Sequence, residues 1–372
     1  MPSFADFPLL PSLLATLAEQ GLERPTEVQA LTIPPQLEGR PLVGVSETGS
    51  GKTLAYVLPL LHQLKTLETG GAAVSSAGRP RGLVLVPGRE LGEQVCRVLK
   101  GLTHDTRLRV RSVLGGTRKQ QSSQSVSGLF EVLVATPGRL VQFLDDGQLQ
   151  LDDVRVLVLD EADQLLDPGF LPVARRVVGV CPPQVRVAVF AATLPERLDA
   201  ALAQLFASPP LQVRTPGSRR GLPTLRTENR TVSQGRRLEL LREVLGADPA
   251  VRTLLFANTR EQCERLAEWL SAEQLPHVTY MGNMESVERR THLAAFRRGE
   301  VKLLVATDLG GRGLDIEGVE RVVNVHLPAD LDNYRHRVGR TARAGRPGLV
   351  INLVTERDLP LLAQVKQLEG RR

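Results

Sequence analysis

Five short apolar runs in the first half of the chain constrain the fold more than any other feature. The runs lie at 41–45, 82–87, 131–135, 154–160 and 185–193. Each has the length of a strand, is rich in β-branched residues and is apolar almost throughout instead of at alternate positions. Such runs are typical of parallel strands that are buried on both faces. Longer amphipathic stretches separate them, so the pattern predicts βαβ units and a wound α/β sheet.

The second half of the chain repeats this pattern, with apolar runs at 252–257, 301–307, 321–327 and 348–355. Between the halves, residues 208–226 are rich in Pro, Gly, Ser and Arg and have no periodicity, which indicates an interdomain linker. The length of 372 residues also fits two domains. We therefore predict a first domain over 1–210, a linker over 211–225 and a second domain over 226–372.

The composition excludes several classes of protein. Hydrophobic residues make up 42% of the chain and charged residues 24%, which argues against global disorder. No apolar stretch approaches the ~20 residues of a membrane span, and the first residues lack the basic segment of a secretory signal. The only cysteines, Cys96, Cys181 and Cys263, are far apart, so we expect neither disulfides nor a zinc site. They suit a reducing compartment such as the cytoplasm, and we expect a monomer without a membrane partner.

The charge is distributed unevenly along the chain. Residues 1–210 contain 20 basic and 21 acidic residues, a net charge of −1, whereas residues 211–372 contain 27 and 20, a net charge of +7. A basic second half indicates a polyanionic partner such as nucleic acid. The alternative is a general preference for arginine, because only 6 of the 47 basic residues are lysine.

A glycine-rich loop, SETGSGKT at 46–53, lies between a strand-like run and a helical stretch, as in a P-loop. Gly49 and Gly51 allow backbone N–H groups to turn toward phosphate oxygens at the start of a helix. Lys52 supplies a positive charge to the outer phosphates, and the Thr53 hydroxyl can hold Mg²⁺. The alternative is a glycine-rich turn with a surface lysine. The residues assigned to the nucleotide here are Thr48, Gly49, Ser50, Gly51, Lys52 and Thr53.

Three carboxylates follow the apolar run at 154–160, where a buried strand is predicted to end. In a parallel sheet this edge lies beside the phosphate-binding crevice. Phosphoryl hydrolysis needs one group to hold the metal and another to orient the attacking water. Asp160 suits the first role and Glu161 the second, whereas the alternative for these residues and Asp163 is an acidic helix start.

The letters DEAD at 160–163 name a family, and the chain resembles a DEAD-box ATP-dependent RNA helicase of superfamily two from Phe4 to about Val354. The matching segments are 21–29 (Q motif), 46–53 (motif I), 87–94 (Ia), 115–116 (GG), 136–139 (Ib), 307–315 (V) and 334–345 (VI). The resemblance implies two tandem RecA-like domains with parallel sheets flanked by helices. It also implies hydrolysis of ATP with Mg²⁺, stimulated by RNA and coupled to local duplex unwinding or ribonucleoprotein remodelling.

The resemblance also assigns residues to roles. Gln29 would bind the adenine edge with Arg24 and Phe4 nearby, and Asp315 would contact the ribose. The implied RNA contacts are Arg89, Gly116, Thr136, Arg139, Arg260 and Thr307. The residues implied to couple hydrolysis to unwinding are Asp163, Ala192 and Thr193. Arginine, threonine and glycine suit backbone contacts, and aromatic residues are only 3% of the chain, so we expect RNA binding to be largely independent of sequence.

Motif VI places Arg337, Arg340 and Arg343 three residues apart, which puts them on one face if the segment is helical. Guanidinium groups aimed at a γ-phosphate stabilise transition-state charge, and we predict this catalytic role for Arg337 and Arg340. They belong to the second domain and Lys52 to the first, so we expect a site that is complete only when the domains close. The alternative is a solvated basic helix.

Six positions depart from the usual patterns, among them Leu22, which stands where an aromatic residue is common. Ser46 stands where the strict P-loop has glycine, Ala191 where motif III has serine, and Gly88 where motif Ia has threonine. Met281 and Ser286 replace a His and a Gln in the segment that resembles HG-x-x-x-Q-x-x-R. We expect these changes to weaken unwinding more than ATP hydrolysis. Two alternatives therefore stay open: an RNA clamp or assembly factor with weak unwinding, and a DNA-directed superfamily-two ATPase, against which the Q motif argues.

Overall fold

The computed structural model describes residues 2–47, 49–72, 76–115, 126–166, 169–194, 198–215, 225–233, 235–282, 284–308, 318–342 and 347–370. The chain divides into two compact units, residues 1–218 and 219–372. Among the helices of these described ranges, none combines the length and the apolar character that a membrane crossing requires. The three cysteines are free and buried.

The first unit contains a seven-stranded parallel sheet. Its strands are β1 (Leu42–Val45), β2 (Gly82–Leu85), β3 (Val110–Val113), β4 (Val132–Ala135), β5 (Val156–Leu159), β6 (Arg186–Ala191) and β7 (Leu211–Arg214). They are ordered β3-β4-β2-β5-β6-β1-β7, and every neighbouring pair is parallel. All five apolar runs form strands, which confirms the predicted fold class.

Helices cover both faces of this sheet. They are α1 (Pro11–Glu19), α2 (Glu27–Leu37), α3 (Lys52–Thr69), α4 (Arg89–Leu102), α5 (Pro137–Asp145), α6 (Ala162–Leu165), α7 (Leu171–Val180) and α8 (Asp199–Ala203). Leu42 and Val84 pack in one buried cluster with α1 to α4, whereas Val43 and Leu83 pack in another with α5 to α8. Because successive strand residues face opposite layers, the interior strands are apolar throughout.

The second unit contains a six-stranded parallel sheet, ordered β10-β11-β9-β12-β13-β8. Its strands are β8 (Leu225–Thr231), β9 (Thr253–Phe256), β10 (His277–Tyr280), β11 (Leu303–Ala306), β12 (Arg321–Asn324) and β13 (Gly348–Val354). Its helices are α9 (Arg237–Ala247), α10 (Arg260–Ala272), α11 (Ser286–Arg298), α12 (Leu331–Val338) and α13 (Leu359–Gly370). The four apolar runs predicted here are strands of this sheet.

The predicted linker at 211–225 includes a strand of the first sheet, and the division between the two units after residue 218 falls within it. Leu211–Arg214 forms β7, which pairs with β1, and its apolar side chains Leu211 and Val213 pack against the first unit. Leu225 begins β8, and residues 216–224 between them lie outside the described ranges. β7 is an edge strand with only two inward apolar residues, so it has no continuous apolar run that the sequence could show.

Candidate active site

The loop from Ser46 to Thr53, called the phosphate loop below, joins β1 to α3. Gly49 and Gly51 have φ angles of 83° and 92°, in the left-handed region that favours glycine, and Gly51 caps the N-terminus of α3. Lys52 begins the helix, and its Nζ donates to the carbonyl oxygens of Ser46 at 2.6 Å and Glu47 at 2.7 Å. A lysine and a helix N-terminus at one turn form a site for a phosphate anion. Thr48, also predicted here, lies outside the described residues.

Ser46, which replaces the glycine of the strict pattern, is held by two other segments. It is buried, and its backbone N–H donates to the Ala191 carbonyl oxygen at 3.1 Å. Its hydroxyl accepts a hydrogen bond from the Thr215 hydroxyl at 2.9 Å. The serine therefore anchors the start of the phosphate loop to the ends of β6 and β7.

Gln29 of α2 holds the other end of the phosphate loop. Its Oε1 accepts from the Thr26 N–H at 2.8 Å, and its Nε2 donates to the Gly51 carbonyl oxygen at 3.0 Å. A Cβ at Gly51 would collide with this amide, so the close approach requires glycine. The side chain is buried, and its bonds position the loop, whereas its predicted contact with adenine stays a prediction.

Two further residues of the Q motif region differ in exposure. Arg24 is exposed, as a ligand-binding side chain can be. Phe4 is only 3% exposed and packs edge-to-face on Phe7, with 6.1 Å between ring centroids. Its ring belongs to the apolar cluster of the first unit, and its expected place near the nucleotide stays a prediction.

Asp160 follows β5 directly and is 3% exposed. Its Oδ1 accepts the Glu161 N–H at 2.9 Å, and its Oδ2 accepts the Tyr56 hydroxyl at 2.8 Å. Burial raises the pKa of Asp160, although the Lys52 charge and the Tyr56 hydrogen bond act in the opposite direction. Thus the carboxylate is fixed through both oxygens and lies within electrostatic range of the phosphate loop.

Glu161 adopts a conformation that is unusual for a residue with a side chain. Its φ is 50° and its ψ is 50°, in the left-handed region, at the N-terminus of α6. Its Oε2 accepts a hydrogen bond from Gln164 Nε2 at 2.6 Å. Such backbone strain persists where the surrounding structure imposes it, and it is concentrated at functional sites.

Motif III contacts the DEAD segment through Thr193 and Asp163. The Thr193 N–H and hydroxyl donate to Asp163 Oδ2 at 3.1 and 3.2 Å. Ala191 is fully buried in an apolar cluster at the end of β6, and Ala192 is half-buried without a polar side-chain group. Of the three predicted coupling residues, Asp163 and Thr193 are therefore joined directly, and Ala192 contributes only its backbone and a methyl group.

The predicted RNA-binding residues of the first unit follow the neighbouring strands at the same edge of the sheet. Arg89 begins α4 after β2 and donates from Nε to Glu93 Oε1 at 2.7 Å. Thr136 precedes α5 after β4, and its hydroxyl accepts the N–H of Gly115, which follows β3, at 3.0 Å. Gly116 lies outside the described residues. β3, β4 and β2 are consecutive in the sheet, as are β5, β6 and β1, so the two sets of candidate residues lie side by side.

Three other predicted contacts are also located by the structure. Arg139 lies in the first turn of α5, where its Nη1 donates to Gln142 Oε1 at 2.9 Å. In the second unit, Thr307 is buried directly after β11, and Arg260 is exposed at the start of α10. The geometry is compatible with backbone recognition at each of them, and it tests none of the three. Asp315 lies outside the described residues.

Arg337 is 1% exposed, and each of its five N–H donors has an acceptor within the second unit. The acceptors are Asp308 Oδ1 at 2.5 Å and Oδ2 at 2.7 Å, Asn258 Oδ1 at 2.7 Å, the His326 carbonyl oxygen at 2.6 Å and Asn324 Oδ1 at 3.3 Å. Asp308, Asn258 and His326 each lie two residues beyond the end of a strand, and these strands, β11, β9 and β12, are consecutive. Arg337 therefore joins the ends of three strands.

A shared helical face for the arginines of motif VI requires a helix through all three, and the helix ends before Arg340. α12 ends at Val338 with Gly339 as its C-cap, so Arg340 lies beyond the helix, and Arg343 is outside the described residues. The catalytic prediction for Arg337 is revised as well, because its donors are already engaged within its own unit. Arg340 is buried and donates from Nε to the His336 carbonyl oxygen at 3.2 Å, and its catalytic role stays a prediction.

The oxygen donors near the phosphate loop fit Mg²⁺ better than a metal that requires a complete set of protein ligands. In the described part of the chain, no three His, Cys, Asp or Glu side chains are grouped closely enough to hold a metal ion. Mg²⁺ is commonly bound through one or two protein oxygens together with substrate phosphates and water. Asp160 and the half-buried Thr53 are such oxygen donors, so these residues fit Mg²⁺ carried in with a nucleotide.

Sequence comparisons identify the family of this chain. Residues 26–201 match the model for the DEAD/DEAH box helicase, and residues 236–345 match the helicase conserved C-terminal domain. The chain is 32% identical over 370 residues to the DEAD-box ATP-dependent RNA helicase RhpA of Helicobacter pylori, covering 99% of this chain and 73% of RhpA. It is 35% identical over 364 residues to the ATP-dependent RNA helicase SrmB of Escherichia coli, covering 98% and 81%.

The fold is similar to that of Saccharomyces cerevisiae Dbp5 bound to RNA and ADP BeF3, with a TM-score of 0.87 at 24% identity, covering 100% of this chain and 94% of that one. Together with the two parallel sheets, this likeness identifies both units as RecA-like domains. With both family models matched across the two units, the chain belongs to the DEAD-box family of ATP-dependent RNA helicases.

Proposed function

We propose that this protein hydrolyses ATP under stimulation by RNA and uses the reaction to open short RNA duplexes or to remodel ribonucleoprotein. The observation that carries the proposal is the arrangement at one sheet edge, where a phosphate loop and a doubly anchored carboxylate lie beside the candidate RNA-binding residues. The matching relatives bear the name of ATP-dependent RNA helicase, which supports the same substrates.

The residues of the first unit divide the chemistry among them. Lys52 and the N-terminus of α3 bind the phosphates, and Gln29 holds the loop in the conformation that does so. Glu161 orients the attacking water and accepts its proton. Thr53 and Asp160 hold Mg²⁺, which when bound neutralises charge on the phosphate oxygens.

RNA is bound through its backbone. Arg89 and Arg139 contact phosphates, and the Thr136 hydroxyl, fixed by Gly115, holds the two adjoining loops in register. In the second unit, Arg260 and Thr307 make equivalent contacts. Binding is therefore salt-dependent and only weakly dependent on base sequence. The three free, buried cysteines support action in a reducing compartment such as the cytoplasm.

One observation favours a second candidate function, an ATP-dependent RNA clamp. Ala191 has no hydroxyl to carry a hydrogen bond from motif III toward the carboxylates, so the link rests on Thr193 and Asp163. A clamp would bind RNA in the presence of ATP and would hydrolyse the ATP without separating RNA strands. Duplex release measured beside ATP consumption distinguishes the two functions.

The test uses Glu161→Gln, which keeps the hydrogen-bonding shape but removes the charge and the proton acceptor. We expect RNA-stimulated hydrolysis to fall by about a hundredfold or more, with ATP binding retained. Glu268→Gln, at an exposed glutamate of α10, is the control and leaves the rate unchanged. Hydrolysis that survives in Glu161→Gln, or that responds to single-stranded DNA as strongly as to RNA, contradicts the proposal.

A further inference from the structure

Tyr56 is a buried polar residue of the active site to which the sequence motifs give no role. It lies in α3, one turn after Lys52 and Thr53, and its side chain is fully buried. Its hydroxyl donates to Asp160 Oδ2 at 2.8 Å, across 104 residues of sequence. The same helix that begins at the phosphate loop therefore reaches back to the carboxylate at the end of β5.

Core packing accounts for the ring of Tyr56 but not for its hydroxyl. The ring packs on Phe190 of β6, with 5.4 Å between centroids and an angle of 53°. A phenylalanine would make the same apolar contacts. The hydroxyl adds a polar group that must find a partner when buried, and the partner here is the proposed metal carboxylate.

Two anchors on different segments fix the orientation of Asp160. The Glu161 N–H binds Oδ1, and the Tyr56 hydroxyl binds Oδ2. With only the first anchor, the carboxylate could rotate about its bond to the chain. With both, its plane is fixed, and each oxygen keeps a lone pair for a further ligand.

Helix geometry places Tyr56 beside the other proposed metal residue as well. Thr53 and Tyr56 are three residues apart in α3, and side chains at this spacing lie on the same face of a helix. The Tyr56 hydroxyl is thus on the side of Thr53 and in contact with Asp160. Both residues that fit Mg²⁺ are positioned by this part of α3.

We propose that Tyr56 is a positioning residue for magnesium, whose hydroxyl holds the Asp160 carboxylate in the orientation that binds the metal–nucleotide complex. The proposal rests on the proposed function, because it takes Asp160 as a metal carboxylate. Hydrogen-bonding partners of ligating groups orient those groups, and losing one commonly lowers metal affinity by about tenfold or more.

The test is Tyr56→Phe, measured by the binding of a fluorescent ADP with and without Mg²⁺. We expect binding in EDTA to be unchanged and the Mg²⁺ concentration for half-maximal enhancement to rise about tenfold. In ATP hydrolysis, the Mg²⁺ requirement rises while the rate at saturating Mg²⁺ changes less. Tyr280→Phe, at a buried tyrosine of the second unit, is the matched control and keeps the wild-type Mg²⁺ dependence.

Asp160→Asn separates a failure of this inference from a failure of the proposed function. If Asp160→Asn loses the Mg²⁺ enhancement and Tyr56→Phe does not, the role of Tyr56 is overturned and the metal role of Asp160 stands. If Asp160→Asn also keeps the Mg²⁺ enhancement of nucleotide binding, the positioning role of Tyr56 and the metal role of Asp160 are both overturned. A rise in the Mg²⁺ requirement of Tyr56→Phe, with unfolding temperatures equal to those of Tyr280→Phe, supports the positioning role and excludes a loss of core packing as its cause.

Discussion

Both units bring polar residues to the carboxyl edge of a parallel sheet, but they use that edge differently. In the first unit, Asp160 is anchored at two oxygens and Lys52 bonds two carbonyl groups, so both side chains are held in fixed orientations beside the phosphate loop. In the second, all five donors of Arg337 bind acceptors at the strand ends. A charged residue in a catalytic motif can therefore stabilise the fold instead of contacting the ligand, and its hydrogen bonds show which of the two roles it has.

The Arg337 network extends across the second sheet. Asn324, which accepts from Arg337, donates to Asn352 at 2.8 Å, and Asn352 donates to Asn229 at 2.8 Å. These asparagines occupy paired positions on β12, β13 and β8. Asn324 and Asn352 are fully buried, whereas Asn229 is exposed. Hydrogen bonds between buried polar side chains favour one strand register and make the loss of one member costly.

The largest effect is expected at Arg340, the described motif VI arginine beyond the end of α12. Arg340→Lys keeps the charge but loses the planar fork, and an arginine that stabilises phosphoryl-transfer charge contributes about a thousandfold or more to the rate. We expect RNA-stimulated ATP hydrolysis to fall by that order. Arg242→Lys, at an exposed arginine of the same unit, should keep the wild-type rate. Equal rates in both variants would remove Arg340 from the catalytic group.

Arg337→Lys sharpens the comparison in the opposite direction. It breaks the two-point bond to Asp308 and leaves acceptors at the ends of three strands without their donors, so the second unit should lose about 3–5 kcal/mol of unfolding free energy. Urea unfolding of the full chain, followed through Trp269 in the second unit, measures this loss. If Arg337→Lys keeps the wild-type unfolding free energy but loses ATP hydrolysis, Arg337 has the catalytic role after all.

A smaller effect is expected from His326, whose carbonyl group accepts from Arg337. Burial first, and then the charges of Arg237 and Arg337, lower the pKa of His326 to about 4. The unfolded chain then binds one more proton between about pH 4 and about pH 6.5, so stability is full above that window and falls as the pH drops through it. With solvent screening, we expect a loss on the order of 1 kcal/mol that His326→Gln abolishes. Parallel pH profiles of unfolding free energy for both proteins would contradict this.

The smallest effect is expected at Ala191. Ala191→Ser restores one hydroxyl at the end of β6, and a single neutral hydrogen bond contributes about 1 kcal/mol. We expect ATP hydrolysis to stay near wild type and the number of duplexes opened per ATP to rise. Strand release and phosphate release measured in one reaction test this, and an unchanged ratio would show that the alanine does not limit coupling.

The sequence predicts those parts of the fold that have a local sequence pattern of their own. The nine interior strands and the phosphate loop were predictable because each is one continuous segment with its own composition. The edge strands β3, β7, β8 and β10 were not, because one side of each is unpaired and their side chains are only partly buried.

The site could be predicted where a role belongs to one residue, and not where it depends on distant partners. Asp160 and Lys52 were found from their motifs. The framework role of Arg337 depends on acceptors from three separate strands, and the bond between Tyr56 and Asp160 spans 104 residues. Neither has a spacing that a sequence could display.

The central claim is that RNA stimulates ATP hydrolysis and that this stimulation needs groups of both units. Its most direct test is the steady-state rate of ATP hydrolysis by the wild-type protein and by Arg340→Ala, each with and without single-stranded RNA. We predict that RNA raises the wild-type rate severalfold and leaves Arg340→Ala at the unstimulated level. A wild-type rate that is equal with and without RNA, or full stimulation of the variant, would contradict the account.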